Sequence, residues 1–243
     1  MARKFLYRSA TVFWLLVLVG CGGSDDALEM AAVTVPPAEA VGRGAPDAAA
    51  ADPDRPMVLA FGDSLTAGHM VDSAMSYPSQ LMAKLEADGY DYQVVNDGES
   101  GLTTSGGIAR LDRALALEPE IVVLALGGND GLRGTPVSVA HDNLRTMVQA
   151  FTDAGAVVVL GGITLPRNYG PDYISAFENM YVQLVEEFGI EFIPFLLEGL
   201  VDLENPRDGI GTYMQGDGIH PTAEGYTIVA ETVFRAIEPY LVQ

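Results

Sequence analysis

A serine and a histidine in this sequence stand in segments whose residue types could carry out nucleophilic catalysis. Ser64 lies just after the apolar run 57–61, and His220 lies near the end of the chain, three residues after Asp217. A serine hydroxyl needs a base that removes its proton, and the base needs a partner that fixes its tautomer. The Asp217 carboxylate can turn back onto the His220 imidazole, because both belong to a predicted loop. The alternative for Ser64 alone is an ordinary turn or helix-cap residue.

Two further segments follow predicted strands and could supply hydrogen-bond donors to a negatively charged oxygen. Asn129 belongs to the Gly-Gly-Asn-Asp segment 127–130, and its side-chain amide is of the kind that stabilises an oxyanion. Gly101 ends the segment 96–101, where its backbone amide could donate to the same oxygen. Each has an ordinary alternative, because Asn tolerates a left-handed conformation in a glycine-rich turn and Gly101 could be a plain loop residue.

Other residues that could act as a base or bind a metal are few. Of the three histidines, His141 lies within a predicted helix and is expected to pack, while His69 is expected to line a cleft or face solvent. The single cysteine, Cys21, excludes an intrachain disulfide and a multi-cysteine zinc site. No compact carboxylate cluster stands out, so we predict no metal and no cofactor. Asp63 and Asp130 are expected to hold loop geometry.

Short apolar runs alternate with helical patterns along the body of the chain. The predicted strands are 57–61, 92–95, 121–126, 156–160 and 191–193. The predicted helices are 77–87, 108–117, 173–188 and 222–240, with another that has Thr135 as N-cap and Pro136 as its first residue and ends at about 154. This alternation predicts an α/β fold, a three-layer α/β/α sandwich with a five-stranded parallel sheet. Sites on such sheets lie outside the carboxyl ends of the strands, where the polar segments would meet.

Taken in chain order, these segments resemble the blocks of the SGNH or GDSL hydrolases. The Gly-Asp-Ser-Leu segment 62–65 resembles the first block, Gly101 the glycine block, 127–130 the asparagine block and 217–220 the final block. Segments 127–134, 165–170 and 193–195 further resemble a bacterial branch of multifunctional acyl thioesterase, protease and lysophospholipase enzymes and its arylesterase relatives. The resemblance covers about residues 56 to 240.

The resemblance implies a flavodoxin-like SGNH hydrolase fold and a role for each matching residue. Ser64 would attack the acyl carbonyl, His220 would take its proton and pass it to the leaving group, and Asp217 would orient His220. The amides of Ser64 and Gly101 and the side chain of Asn129 would hold the oxyanion. Acyl esters, lysophospholipids and acyl thioesters are the implied substrates, with thioester hydrolysis as a side activity.

The first residues predict an export signal rather than part of the fold. Basic residues precede the apolar run 11–19, which is shorter than the roughly 20 residues needed to span a bilayer. The run ends in Leu-Val-Gly-Cys, which resembles a lipobox, the alternative being an ordinary signal that happens to end in cysteine. We predict a lipoprotein signal peptide over 1–20, lipidation at Cys21, a flexible tether over 21–55 and the hydrolase domain over 56–243. These features predict a cell-envelope protein, lipid-anchored at the outer membrane or in the periplasm. Gly22 rather than Asp after the modified cysteine resembles the lipoprotein sorting signal for outer-membrane delivery in a host that has that membrane.

The composition narrows the class of function. Apolar residues make up 49% of the chain, enough for a full core, and the formal net charge of -20 repels nucleic acid and anionic membrane faces. We therefore expect no nucleic-acid partner and predict a serine esterase acting on acyl esters. One alternative is a polysaccharide O-acetyl esterase or acyltransferase of the same fold, against which the only tryptophan, Trp14, counts because it lies in the signal. The other is a non-catalytic lipoprotein that binds acyl ligands or partners.

Overall fold

The computed structural model describes residue 52, residues 54–200 and residues 211–242. The predicted signal peptide, the lipidation site Cys21 and most of the predicted tether lie outside these residues. Asp52 and Arg55, at the end of the predicted tether, contact the folded body, because the Gln93 side chain donates to the carbonyls of both at 2.6 and 2.9 Å. Arg55 also pairs with Asp91 at 2.9 Å. The chain is therefore attached to the body at Asp52, shortly before the predicted boundary.

Five parallel strands form one sheet. The strands are β1 (Met57–Gly62), β2 (Gln93–Gly98), β3 (Ile121–Ala125), β4 (Val157–Gly161) and β5 (Glu191–Ile193). Their order is β2-β1-β3-β4-β5, and each neighbouring pair is parallel. Every residue of β1 and β3 is buried, as expected of strands that are covered on both faces. This is the strand order of a flavodoxin-like fold.

Helices cover both faces of the sheet. Within the described residues they are α1 (Ser64–Ala67), α2 (Tyr77–Ala87), α3 (Thr104–Leu115), α4 (Gly128–Leu132), α5 (Val137–Asp153), α6 (Pro171–Phe188) and α7 (Ala223–Ile237). One apolar core packs Phe61 and its face of the sheet against α3, α5 and α6, and a second packs Ala60 and the opposite face against α2 and α7. No helix in this part of the chain is long and apolar enough to cross a bilayer. The predicted three-layer α/β/α sandwich is confirmed.

Several element limits differ from the predictions because polar residues take part in the elements. β2 runs to Gly98 rather than to 95, since the polar residues 96–97 pair with β1. α3 starts at Thr104 rather than at 108, because the Thr103 hydroxyl accepts a hydrogen bond from its first turn. The prediction of Thr135 as the N-cap of α5 is wrong, because Pro136 directly precedes the helix and its ψ of 128° is not helical.

The strand order creates a switch point between β1 and β3. In open parallel sheets, ligands bind outside the carboxyl ends of the strands at such a point. Ser64 follows β1 and Asn129 follows β3, so the fold places both residues at that edge. The segment before α7 reaches the same edge, because His220 contacts Ser64.

Candidate active site

Ser64 is presented by the tight connection between β1 and α1. It is the first residue of α1, and Asp63 caps this short helix by accepting from the Leu65 N–H at 3.0 Å. Gly98 permits the close packing of β2 against this connection, because a Cβ at that position would lie 2.3 Å from the Ala67 nitrogen. The backbone of β2 therefore packs directly against the turn that carries Ser64.

His220 lies at the end of a loop that is closed by its own hydrogen bonds. The N–H groups of Ile219 and His220 both donate to Asp217 Oδ1, at 2.9 and 3.1 Å. His220 Nδ1 lies 2.7 Å from Asp217 Oδ2. On the other side, the Gln215 N–H donates to the His220 carbonyl at 2.8 Å, and its side chain donates to the Pro221 carbonyl at 2.8 Å. One carboxylate thus binds both the backbone and the ring of the histidine.

A continuous hydrogen-bond chain joins the three residues Ser64, His220 and Asp217. His220 Nε2 lies 2.9 Å from Ser64 Oγ, on the ring edge opposite the Nδ1 that faces Asp217. With the proton on Nδ1, Nε2 can accept the serine proton. Burial is the largest influence on Asp217 and raises its pKa, but the hydrogen bonds from the imidazole and the backbone together lower that pKa below its usual value. Asp217 is therefore an anion at neutral pH and stabilises a positive charge on His220.

Asn129 lies in the first turn of α4, beside the serine turn. Its side-chain nitrogen donates to Asp63 Oδ2 at 3.2 Å and to the Leu102 carbonyl at 3.1 Å. These acceptors come from the connection after β1 and from the turn after β2. The amide of Asn129 is therefore held in one orientation at the edge of the sheet where Ser64 emerges.

Gly101 stands in the turn between β2 and α3. Its φ of 82° is a left-handed conformation that favours glycine. Its carbonyl accepts from the Arg133 guanidinium at 3.1 Å, and the nearby Glu99 N–H donates to the Gly62 carbonyl at 3.0 Å. The latter bond ties this turn to the end of β1. The fold thus brings the segments of Ser64, Gly101 and Asn129 to the same edge of the sheet.

Asp63 is a buried carboxyl beside Asn129, with 4% of its surface exposed. A cavity of about 10 Å³, room for about one water, borders it. The other residues that line this cavity are mostly apolar or glycine: Leu65, Ala125, Leu126, Gly128, Gly161, Gly162, Ile163 and Leu196. Burial raises the pKa of Asp63 to about 6, against the opposing influence of the Leu65 N–H, His220 and Asn129. Asp63 therefore holds Asn129 and the serine turn at the cost of a buried charge.

Asp130 is a second buried carboxyl, and it fixes the start of α3. Its two oxygens accept from the Thr104 N–H and the Thr104 hydroxyl, each at 2.8 Å. Asn143 on α5 donates in turn to the Thr104 hydroxyl at 3.0 Å. This network ties α4, which carries Asn129, to the helix that follows Gly101. No local sequence pattern indicates Thr104 or Asn143, because Thr104 meets Asp130, and Asn143 meets Thr104, only through the packing of three helices.

The remaining histidines differ in their distance from this site. The His69 ring lies against the His220 ring, with centroids 4.3 Å apart and an angle of 41° between the planes. The Gln215 side chain donates to the His69 carbonyl at 2.8 Å. His69 was predicted to line a cleft or face solvent, and it lies half-buried beside the site; no sequence pattern indicates Gln215. His141 lies on α5 and contacts Asp142 at 3.2 Å.

The site thus combines a serine hydroxyl, an imidazole within hydrogen-bond distance of it, and an amide side chain at the same edge of the sheet. Among the described residues, no group of three or more His, Cys, Asp or Glu side chains is arranged to hold a metal. An arrangement of this kind can deprotonate a serine hydroxyl and stabilise negative charge on an attacked carbonyl oxygen.

Comparison with known proteins gives the family that shares this fold. The sequence model of the GDSL-like Lipase/Acylhydrolase family matches residues 60–228. The chain belongs to this family. This GDSL-like hydrolase is 41% identical over 185 residues to the Esterase TesA of Pseudomonas aeruginosa. The aligned region covers 76% of this chain and 89% of the relative.

Two further comparisons agree with that membership. The GDSL-like hydrolase is 36% identical over 193 residues to the Thioesterase 1/protease 1/lysophospholipase L1 of Escherichia coli (strain K12), covering 79% of this chain and 86% of the relative. A solved structure described as the crystal structure of TesA matches with a TM-score of 0.69 and 40% identity, covering 75% of this chain and 98% of that one. The resemblance to SGNH hydrolases is confirmed, and the protein is a carboxylic ester hydrolase of the esterase, thioesterase and lysophospholipase type.

Proposed function

We propose that this GDSL-like hydrolase cleaves acyl esters with Ser64 as the nucleophile, His220 as general base and acid, and Asp217 as the residue that orients His220. The observation that carries this proposal is the unbroken chain from Ser64 Oγ through the imidazole to Asp217, at 2.9 and 2.7 Å. A base within hydrogen-bond reach of a serine, itself oriented by a third group, is the arrangement that activates a serine nucleophile.

The reaction has two halves that use the same proton carrier. Ser64 Oγ attacks the acyl carbonyl while His220 Nε2 takes the hydroxyl proton, and the bond to the leaving oxygen then breaks as His220 gives that oxygen the proton. In the second half, water attacks the acyl-enzyme, His220 takes a proton from the water, and Ser64 recovers its proton as the acid leaves. Asp217 stabilises the imidazolium that exists between the transfers.

We assign the oxyanion hole to the backbone N–H groups of Ser64 and Gly101 and to the Asn129 side chain. The Ser64 N–H starts α1, so the hydrogen bonds of the helix do not use it. The Asn129 amide is held at this edge of the sheet by hydrogen bonds to Asp63 and the Leu102 carbonyl before any charge develops. An oxyanion competes with the Leu102 carbonyl for one N–H of this amide.

We propose short aryl or alkyl esters and lysophospholipids as substrates, with acyl thioesters as a side activity. The named relatives are an esterase and a thioesterase, protease and lysophospholipase. Met70, next to His69, is 80% exposed, and Ile219, next to His220, is 41% exposed. Apolar side chains beside the two histidines favour substrates with apolar acyl or aryl groups over sugars.

We also propose that the protein is lipid-anchored through Cys21 in the cell envelope, at the outer membrane or in the periplasm. The basic start, the apolar run and the Leu-Val-Gly-Cys segment 18–21 support this location. Incorporation of labelled fatty acid into the parent but not into a Cys21→Ser variant is the expected result. Equal labelling of both proteins would contradict it.

Hydrolysis of a p-nitrophenyl ester series from acetyl to palmitoyl tests the mechanism. The full-length protein is compared at about pH 8 with Ser64→Ala and with Ser138→Ala, a control at an exposed position near the start of α5. We expect Ser64→Ala to lose roughly 10³-fold or more of kcat and the control to retain it. Equal rates in the parent and Ser64→Ala would exclude Ser64 as the nucleophile. The chain-length profile separates a short-ester esterase from a lipid hydrolase.

A further inference from the structure

His69 lies against the face of the His220 ring, although it takes no part in the hydrogen-bond chain to Ser64. The ring centroids are 4.3 Å apart. Asp217 and Ser64 contact the two ring edges of His220. Edge contacts alone leave the imidazole able to rotate about the axis that joins them, whereas a ring packed on its face opposes that rotation. The position of the proton acceptor is therefore defined by three side chains rather than two.

His69 is itself fixed from three parts of the site. Its N–H donates to the Ser64 carbonyl at 3.1 Å, and its own carbonyl accepts from the Gln215 side chain at 2.8 Å. Its Nδ1 lies 3.4 Å from Ser100 Oγ, in the turn that carries Gly101. The serine turn, the histidine loop and the turn after β2 thus meet at this one residue. Two of these bonds hold the backbone of His69 and the third contacts its ring, so the ring that covers His220 has a defined position.

The charge state of His69 suits a ring that faces a proton carrier. Burial and the charge of His220 lower the pKa of His69 below its usual value, and Asp217 acts in the opposite direction. Tyr226 of α7 contacts the backbone of His69, and burial raises the pKa of its phenol, so its hydroxyl is neutral. The imidazolium that forms on His220 therefore lies beside an uncharged aromatic ring, and such a pair is attractive. A charged ring at the same position would repel it.

We propose that His69 is a positioning residue for the general base: its neutral ring holds the His220 imidazole in line between Asp217 and Ser64 and stabilises the imidazolium that forms during acyl transfer. The inference rests on the proposed roles of Ser64 and His220. His69 transfers no proton in this scheme. It acts through His220 alone, so its replacement affects the chemical step more than substrate binding.

Kinetics of three variants of the full-length protein test this inference. His69→Ala removes the ring and is expected to lower kcat for p-nitrophenyl acetate about tenfold, with KM changed less than about twofold. His69→Phe keeps a flat, uncharged ring and is expected to retain kcat within about threefold. His141→Ala removes a partly exposed histidine on α5 and is expected to behave as the parent. Thermal unfolding of each variant confirms that the proteins compared are folded.

A proton NMR measurement reports the position of His220 without turnover. We expect the Nδ1 proton shared with Asp217 to give a far-downfield signal, assigned by its absence in His220→Ala. We expect this signal to persist in His69→Phe and to be lost or broadened in His69→Ala. Because the signal needs no substrate, it stays informative even if Ser64→Ala leaves hydrolysis intact and the proposed function fails.

Three outcomes would overturn the inference. An unchanged kcat and signal in His69→Ala would show that the ring is dispensable. A loss in His69→Phe equal to that in His69→Ala would show that the aromatic face does not matter. A change confined to KM would indicate that His69 contacts the substrate instead of positioning His220.

Discussion

Replacement of Asp63 with asparagine is expected to remove a pH-dependent loss of stability from this hydrolase and to weaken its catalysis. The carboxyl is buried beside an apolar cavity, and burial raises its pKa from 3.8 to about 6. Between these two values the folded chain holds a proton that the unfolded chain has lost. Stability from this group is therefore fully present below about pH 3.8, falls as the pH rises, and reaches its lower limit above about pH 6.

The size of the effect follows from the pKa difference. A rise of about 2 pKa units corresponds to about 3 kcal/mol of stability lost across the whole window. Between about pH 4.5 and about pH 7.5 the loss is about 2 kcal/mol, because the unfolded carboxyl is already largely ionised at the lower value. An asparagine cannot ionise, so the variant should lack this component of the pH dependence.

Urea unfolding of the parent and Asp63→Asn at these two pH values measures the effect. The stability difference between variant and parent should shift by about 2 kcal/mol in favour of the variant at the higher pH. An amide that faces Asn129 adds a constant cost, which cancels when the two pH values are compared. Asp112→Asn, at an exposed position on α3, controls for the loss of one acidic charge and should shift by less than about 0.5 kcal/mol.

Activity provides the second half of this prediction. Asp63 Oδ2 accepts from the Asn129 side chain at 3.2 Å, and an amide at that position presents a donor unless it flips. If the amide flips, its NH₂ group faces the Leu65 N–H, which then loses the acceptor that it has in the parent. We expect kcat for a p-nitrophenyl ester to fall about tenfold. A stability difference that does not change with pH would refute the buried-charge reasoning, and an unchanged kcat would refute the role of Asp63 in orienting Asn129.

Three further substitutions test the supports of the site. Thr104→Val removes the hydroxyl that donates to buried Asp130 and should lower the free energy of unfolding in urea by about 2 kcal/mol. A decrease of less than about 0.5 kcal/mol would show that this bond is dispensable. Gly98→Ala places a Cβ 2.3 Å from the α1 backbone and should lower kcat at least about tenfold, so parent-like kinetics would contradict the packing argument. Tyr173→Phe removes the hydrogen bond to the Thr135 carbonyl and should lower stability by about 1 kcal/mol, whereas an unchanged unfolding midpoint would contradict it.

Much of the fold is readable from the sequence because local composition decides it. The unbroken apolar runs of β1 and β3 require cover on both faces, and such strands occur in parallel sheets flanked by helices. Element limits are less readable, because β2 extends through two polar residues that pair with β1. The α5 start was misplaced, since a Thr-Pro pair is compatible with either residue as the cap.

The contact between Asp217 and His220 is local, because only three residues of loop separate them. Their spacing in the sequence was therefore sufficient to predict it. The contact between His220 and Ser64 also depends on the strand order of the sheet. The alternation of strands and helices predicts a parallel sheet but does not give the order of its strands. The ring contact of His69 with His220, the raised pKa of Asp63 and the Asp130 network were decided only by the tertiary structure. Ring contacts and desolvation depend on which distant segments pack together, and no short-range pattern encodes that packing.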